Sequence, residues 1–296
     1  MNRAFLLGSV FFILTQSTFS KTINFSAFNI RWYGMGGEGP ERNAKEFRDP
    51  ELTRFFNESK LAEQDVLGFE EIVDVEGLKK LLPKHRCVSY EHSVPTHQHV
   101  VLCAKKPYQL ALDGGDDNFA LEAATLDMPE RLRPPVHAAL ADEKGKVLAH
   151  FIVVHLKAQP AESARRLAQV EIIEQFVRER LPTKEPVVLM GDFNTHRAEL
   201  TKGGQDDAKK MDAIFSKSNR GFSRNIDNNL NTYCGRKGCS QLDQIWADSS
   251  AQLSRLDTWA VCKNNGAGGS GFKNKDYYYK NVSDHCPVFS SIVVSD

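Results

Sequence analysis

Apolar residues along the chain fall into two spacings: short alternating or continuous runs of about six residues, and a few longer stretches recurring at three- and four-residue steps. The short runs predict strands over Ile23–Arg31, Val66–Glu71, Cys87–His92, Val100–Ala104, Val147–His155, Val187–Met190, Gln241–Ala247, Thr258–Cys262 and Cys286–Val294. The longer stretches predict helices over Leu52–Glu63, Glu76–Leu82, Glu162–Arg180 and Asp207–Ser216. In the longest of these, Leu167, Val170, Ile172, Ile173, Phe176 and Val177 line one face, and Pro182 stops the helix. Many strands with helices to either side suit two packed sheets flanked by helices. The Gly-rich stretch Asn264–Gly271 leaves too little chain behind it for another domain, so one domain is expected over residues 21–296.

The first twenty residues have a different character. Arg3 precedes an apolar run, Ala4–Leu14, and Thr18 and Ser20 stand three and one before a cut after Ser20. That is the layout of a cleavable signal peptide over residues 1–20, too short to span a bilayer comfortably; an uncleaved anchor is the competing reading. The mature chain is therefore expected in the periplasm or the medium, as a monomer without a stable membrane anchor.

Charge narrows the picture less. Lys+Arg and Asp+Glu are 38 each, so the chain has no global pull on a polyanion, and nucleic-acid binding would need a local patch. Export changes the meaning of the six cysteines, which then point to disulfides. Cys234 and Cys239 of CGRKGC can close a small ring, and Cys87 and Cys103 sit on two neighbouring predicted strands. Cys262 and Cys286 are left over, with Cys286 a candidate buried free thiol. No CxxC or HxxxH spacing occurs, so zinc is not expected.

Candidate chemistry collects where apolar strands run into polar residues. Asn29 ends FSAFN, Glu71 ends DVLGFEE, His155 ends AHFIVVH, and Asp192 and Asn194 stand in GDFN. Asp243 lies in QLDQIW, and Asp284 and His285 in SDHCPV. Asn, Asp and Glu offer hard oxygen ligands, which favour Mg²⁺, Mn²⁺ or Ca²⁺ over zinc. Two histidines can move protons near neutral pH. Together these groups suit in-line attack of water on phosphorus. No GxSxG elbow or P-loop is present, which argues against serine-hydrolase chemistry and nucleotide-dependent transfer.

The motifs FNIRW, DVLGFEEI, VVHLKA, GDFN, LDQIW and SDHCPV, in that order, resemble those of the endonuclease/exonuclease/phosphatase superfamily, which includes pancreatic-type deoxyribonucleases. The resemblance spans almost the whole mature chain. It implies an α/β fold, a four-layer α/β/β/α sandwich of two mixed β-sheets flanked by helices. It also implies a phosphodiesterase dependent on Mg²⁺ or Mn²⁺, with DNA cut internally as the foremost expectation and RNA next. Carried over residue by residue, Asn29, Glu71 and Asp284 would hold the metal, with Glu70 standing where the family often has Gln. His155 and His285 would be the acid/base pair, Asp243 would orient His285, and Asp192 and Asn194 would position water and phosphate. RLRPPV nominates Arg133 as a phosphate grip; an Arg capping a Pro-rich turn is the plainer reading. There is one departure. Pancreatic-type enzymes pair the first histidine with a Glu ahead of the strand matching VVLCA, where this chain reads HQH. Gln98 or His99 is available instead, which leaves the partner and charge state of His155 open.

Two further segments add expectations. DGGDDN (Asp113–Asn118) suits a structural Ca²⁺ or a plain solvated turn. In GFKNKDYYYKN, Lys273, Lys275 and Lys280 alternate with Phe272 and Tyr277–Tyr279, which suits a nucleic-acid backbone or a strand with one inward face. Arg236 and Lys237 could add a second basic contact. Two other functions remain open: a secreted sphingomyelinase or phosphoinositide phosphatase, which would expose an apolar hairpin, and a non-catalytic binding or toxin-delivery protein on the same fold.

Overall fold

In the computed structural model, residues 20–35, 45–89, 98–111, 132–182, 184–196, 206–225, 230–235, 238–264 and 270–295 are described. All but the last residue of the predicted signal peptide, the DGGDDN loop, and Arg236 with Lys237 lie outside them. Strand β1 (Ser20–Tyr33) is central to the first sheet, between β2 (Val66–Ile72) on one side and β15 (Val288–Ser295) on the other. Beyond β2 come β4 (His99–Lys105) and β3 (His85–Ser89), and two short strands, β13 (Gln252–Leu253) and β14 (Asp257–Thr258), pair with β15. The second sheet runs β5 (Gln109–Ala111), β6 (Val136–Ala141), β7 (Val147–His155), β8 (Val187–Asp192), β12 (Asp243–Ala247), β9 (Ser223–Arg224). Each sheet is mixed: β1 and β2 are parallel, as are β7 and β8, and the other pairs are antiparallel. A hairpin of β10 (Tyr233–Gly235) and β11 (Gly238–Ser240) stands apart from both sheets.

Three apolar layers bind four structural ones. Between the sheets, Phe25, Val66 and Leu102 meet Phe151, Val153, Met190 and Ile245, with the Phe25 and Phe151 rings edge-to-face at 5.4 Å. Gly68 lets the sheets approach closely, because a Cβ there would lie 2.8 Å from a Val153 methyl. On the outer face of the first sheet, Phe28 and Phe69 pack under α1 (Lys45–Glu58) and α2 (Val75–Leu81). On the outer face of the second, Ile152, Val154, Leu189 and Trp246 lie under α3 (Ser163–Arg180) and α4 (Asp207–Phe215). The result is the expected α/β/β/α sandwich. Strands buried on both faces read as continuous apolar runs rather than alternating ones.

The differences from expectation have physical causes. Strand β6, VHAALA, was not anticipated; it is buried throughout and so carries no alternation. Thr258–Cys262 was expected as a strand, but only Asp257–Thr258 pairs; Ala260 turns left-handed at φ 61° and a 3₁₀ turn follows over Ala260–Asn264. The Tyr277–Tyr279 run lies in a short helix, α5 (Lys275–Asn281), capped by the Asn274 side chain accepting from the Tyr277 amide. Cys87 and Cys103 are bridged across β3 and β4, and Cys234 and Cys239 across the hairpin. Cys262 and Cys286, the expected leftovers, form a third disulfide, so Cys286 is not a free thiol. Among the described residues no helix is long and apolar enough to cross a membrane.

Candidate active site

Of the expected residues, Asn29, Glu71, Arg133, His155, Asp192, Asn194, Asp243 and His285 meet at strand ends, and irregular backbone aims several of them there. Register breaks between Asn29 and Tyr33 on the β1/β2 side and between Phe69 and Ile72 on the β2/β4 side. Within these breaks Arg31, Trp32 and Glu71 have φ of 35°, 53° and 60°, and Asn194 just past β8 has 49°. Such non-glycine conformations cost about 1–3 kcal/mol each and persist only where the surroundings enforce them. Part of that enforcement is Arg48, a buried residue of α1 that sequence reasoning missed. Its guanidinium donates to the carbonyls of Arg31 (2.9 Å), Ile30 (2.6 Å) and Val282 (2.6 Å), tying the β1 bulge to the end of α5. Burial, together with the nearby Arg31 charge, holds it down to about 10.

Carboxylates crowd the centre. Asn29 Nδ2 donates to Glu71 Oε1 (3.2 Å) and Asp192 Oδ2 (3.1 Å), while its Oδ1 accepts from the Arg31 amide (2.9 Å). Asp192 Oδ1 accepts from the Asn194 amide (2.9 Å), and Asn194 Nδ2 donates to the Leu156 carbonyl (3.1 Å), joining the loops after β7 and β8. Burial and the Asp243 charge push Asp192 up to about 7 against the pull of His285. Glu71 is raised by burial and by Asp284, with His285 opposing. Glu70, fully buried beneath the cluster, has no hydrogen-bond partner for either oxygen among the described residues. Burial, then Asp243 and Asp192, lift it well above the carboxylate range, so it is a neutral acid. Gly191 permits this arrangement at φ 132°, since a Cβ would stand 2.6 Å from Glu70 Oε1.

The two histidines differ in charge. His285 Nδ1 lies 2.9 Å from Asp243 Oδ2, and its Nε2 faces Asp192 Oδ2 at 3.8 Å. Burial alone would depress it, but Asp243, Asp192 and Asp284 outweigh that and hold it well above its usual value. Thr232 Oγ1 accepts from the Asp243 amide (2.9 Å) and Tyr278 OH donates to the His285 carbonyl (2.8 Å), which fixes both partners. His155 instead meets Arg133, whose Nη2 lies 3.1 Å from His155 Nε2. Burial, the Arg133 charge and His285 keep His155 well below its usual value, hence neutral. Gln98, rather than His99, takes the place left open: its Nε2 donates to Glu71 Oε2 (2.7 Å) and its Oε1 accepts from Arg133 Nη1. An unbroken chain thus runs from Glu71 through Gln98 and Arg133 to His155.

A second buried brace also escaped the sequence reading. Arg166 of α3 and Asp207 of α4, both fully buried, pair at 2.6 Å. The guanidinium also holds the carbonyls of Lys157 (2.9 Å) and Gln159 (2.6 Å), so the loop following His155 is anchored to the helical layer. Lys273 is exposed and Lys275 half-buried on the segment leading to Ser283, and no described contact joins either to the carboxylate cluster. The neighbouring rings mostly serve the core: Phe272 and Tyr278 are buried, and Tyr277 OH donates to Glu51 (2.6 Å). Tyr279 is half-buried with a cation over it, Arg31 at 4.2 Å, and half-buried Tyr277 has Arg54 over its ring at 5.9 Å.

The model of the Endonuclease/Exonuclease/phosphatase family matches residues 45–285, a span that includes Glu71, His155, Asp192, Asp243 and His285. The chain belongs to this family. Its members are hydrolases of phosphoester bonds that generally use a divalent metal. A search of curated proteins gave no significant match. Solved structures share the fold at low identity. An endonuclease/exonuclease/phosphatase from Bacteroides vulgatus is 16% identical with a TM-score of 0.62, over 92% of this chain and 98% of that one. D. rerio TDP2 complexed with single strand DNA product is 13% identical at 0.61, over 92% and 98%. A Bacteroides thetaiotaomicron mannosyl-6-phosphatase is 14% identical at 0.57, over 91% and 99%.

For this family member the donor set suits a hard divalent cation. Glu71, Asp192, Asp243 and Asp284 supply carboxylate oxygens, and Asp284 Oδ1 is buried with no hydrogen-bond partner among the described residues. A cation would relieve the same repulsion that raises Glu71 and Asp192. Donor atoms of Asp192, Asp243 and His285 lie within 4.8 Å of one another, but in that group Asp243 and His285 already engage each other.

Proposed function

We propose that the chain is an exported, metal-dependent phosphodiesterase that cuts DNA internally. The observation that carries this reading is the gathering of the carboxylate cluster, the Asp243/His285 pair and the Arg133 guanidinium in one site. Glu71 and Asp284, with Asn29 beside them, would hold the cation, which would supply neutralisation of charge on the phosphoryl oxygens. Asp192, whose Oδ1 accepts from the Asn194 amide and whose Oδ2 lies 3.8 Å from His285 Nε2, accepts the proton of the attacking water. His285 is locked at Nδ1 by Asp243 and cationic, so its Nε2 proton goes to the leaving oxygen. Arg133 grips a non-bridging phosphate oxygen, positioned by Gln98 and by neutral His155. This makes His285 rather than His155 the acid. Asn194 ties Asp192 to the loop after β7, and Lys273 and Lys275 give the outer surface a basic character suited to a phosphate backbone.

DNA is favoured over the other phosphoesters by the Arg133 segment and by the fold shared with a TDP2 that was captured with single strand DNA product. The mannosyl-6-phosphatase neighbour favours a phosphomonoester as the second reading. The lipid-phosphodiester reading needs an exposed apolar hairpin, and among the described residues the large exposed apolar side chain is Val293, on β15. The mature protein with Mg²⁺ or Mn²⁺ should degrade plasmid DNA far faster than RNA, sphingomyelin vesicles or mannose 6-phosphate. Faster phosphate release from the sugar phosphate would replace the proposal with the second reading.

A further inference from the structure

Arg48, Arg166 and Arg220 are buried, and each guanidinium is engaged by carbonyls or a carboxylate. Arg31 differs. It is 8% exposed, its Nη1 is buried, and its side chain makes no hydrogen bond or ion pair with a described residue. What it touches is a ring: the guanidinium carbon lies 4.2 Å from the Tyr279 centroid. That contact attracts the charge but satisfies none of the N–H donors. A buried charge without a hydrogen-bonding counterion is costly, and the planar fork of a guanidinium matches a phosphate.

The local backbone fixes Arg31 in this position. Its φ is 35°, its amide donates to Asn29 Oδ1 at 2.9 Å, and its carbonyl accepts from Arg48 at 2.9 Å. Non-glycine residues held in the left-handed region in this way cluster at ligand clamps. The next residue, Trp32, donates its amide to Glu71 at 3.2 Å, so Arg31 borders the carboxylate cluster. Tyr233 of the β10/β11 hairpin stands beside the same cluster: it is half-buried, and its ring is edge-on to His285 at 4.9 Å. A Cβ at residue 235 would collide with the Tyr233 hydroxyl, so Gly235 is what leaves that ring in place. Burial pushes the hydroxyl up to about 12, with Asp284 and Tyr279 adding to the effect and Arg31 opposing it. It therefore keeps its proton and can donate it in a hydrogen bond to an anion.

We propose that Arg31 and Tyr233 form a subsite for a second phosphate, the one flanking the scissile phosphate on the leaving-group side of a nucleic-acid strand. Tyr279 is the shelf that holds the Arg31 guanidinium. The subsite rests on the phosphodiesterase reading, in which His285 protonates the leaving oxygen: Tyr233 touches that imidazole, and the Arg31 charge reaches the Tyr233 hydroxyl. A phosphate there receives charge-assisted hydrogen bonds from both side chains. Arg133 grips the scissile phosphate, so the two arginines together select a ligand with two phosphates one nucleoside apart. A sugar monophosphate can fill only one of the two positions.

The test is titration calorimetry with Mg²⁺, using thymidine 3′,5′-bisphosphate and the two thymidine monophosphates as probes. Wild type should bind the bisphosphate at least about tenfold more tightly than either monophosphate, the scale of one hydrogen-bonded charge contact. Arg31→Met should bring that advantage to within threefold, and Arg31→Lys should restore part of it. A merely structural role for Arg31 would weaken all three probes alike and leave the ratio unchanged. Tyr233→Phe keeps the ring on His285 and should reduce the advantage several-fold. No advantage in a wild type that nicks plasmid, or an advantage that survives in folded Arg31→Met, would overturn the proposal. If Arg31→Met does not fold, an undiminished advantage in Tyr233→Phe overturns it instead. A wild type that binds none of the probes and is inert on DNA would remove the phosphodiesterase reading, and the subsite with it.

Discussion

Replacing Gln98 with Ala removes a side chain that serves two charged neighbours at once. Its Nε2 donates to Glu71 at 2.7 Å and its Oε1 accepts from Arg133. Of the ordinary side chains of this length, only the amide does both. A carboxylate would face Glu71 with a like charge, and an ammonium could not accept from a guanidinium. Gln98 is 7% exposed, so water replaces these bonds poorly. A hydrogen bond to a charged group contributes about 1.5–3 kcal/mol, which bounds the pair near ~6 kcal/mol. The Trp32 amide remains on Glu71 (3.2 Å) and His155 on Arg133 (3.1 Å), so much of the geometry survives. A loss of about 2–3 kcal/mol in transition-state stabilisation is expected, or roughly 30- to 150-fold in kcat/KM. The assay is the initial rate of plasmid nicking across a Mg²⁺ titration, with a thermal melt to establish folding. Apparent metal affinity should fall as well, because Glu71 loses its orienting donor. Gln98→Glu keeps the acceptor for Arg133 but sets a carboxylate against Glu71, and should also be impaired. A folded Gln98→Ala variant within threefold of wild type, with unchanged metal dependence, would refute the coupling.

Glu70 is neutral in the fold, so the native chain holds a proton that the unfolded chain releases above its ordinary pKa of 4.5, and stability declines as pH rises through that window. Glu70→Gln should therefore match wild type near pH 4 and exceed it increasingly at higher pH, read from urea midpoints in EDTA; parallel pH profiles would show Glu70 to be ionised. Asp207→Ala strands the fully buried Arg166 and should cost about 3–5 kcal/mol of stability with a loss of activity; a change below 1 kcal/mol would mean the pair is not buried as described. The Cys262–Cys286 bridge closes a loop of sequence separation 24, so the double Ala variant should lose about 3 kcal/mol, measured by chemical denaturation. Cys286 directly follows His285, so nicking by that variant should decline even at temperatures where it stays folded.

Those side chains differ in how far the sequence announced them. The Asn, Glu, His and Asp positions at strand ends were legible because each follows an apolar run, and the order of the motifs pointed to the sandwich. Where the chain had to be read through pairing geometry, local pattern failed. The β6 run VHAALA is buried on both faces and shows no period. Tyr277–Tyr279 has strand-forming residues, but Asn274 caps a helix there and Tyr278 is drawn into the core by its bond to the His285 carbonyl. Gln98 was one of two candidates the HQH segment offered, but Arg48 and the Arg166/Asp207 pair act through partners as far as 234 and 41 residues away, so nothing in their own neighbourhood marks them. For Glu70 the sequence carried one visible cue, a Glu where the family often has Gln. Its meaning, a carboxyl kept protonated by burial among other carboxylates, needed the structure.

The central claim is that this cluster cuts DNA using metal, with His285 as the acid. The most direct measurement is nicking of supercoiled plasmid by the mature protein with Mg²⁺, Mn²⁺, Ca²⁺ or EDTA, with folded His285→Ala alongside. The account predicts metal-dependent nicking that EDTA abolishes and the variant loses by at least about 100-fold, the scale of general acid catalysis. Nicking by His285→Ala at the wild-type rate, or none by wild type with any of the three metals, would contradict it.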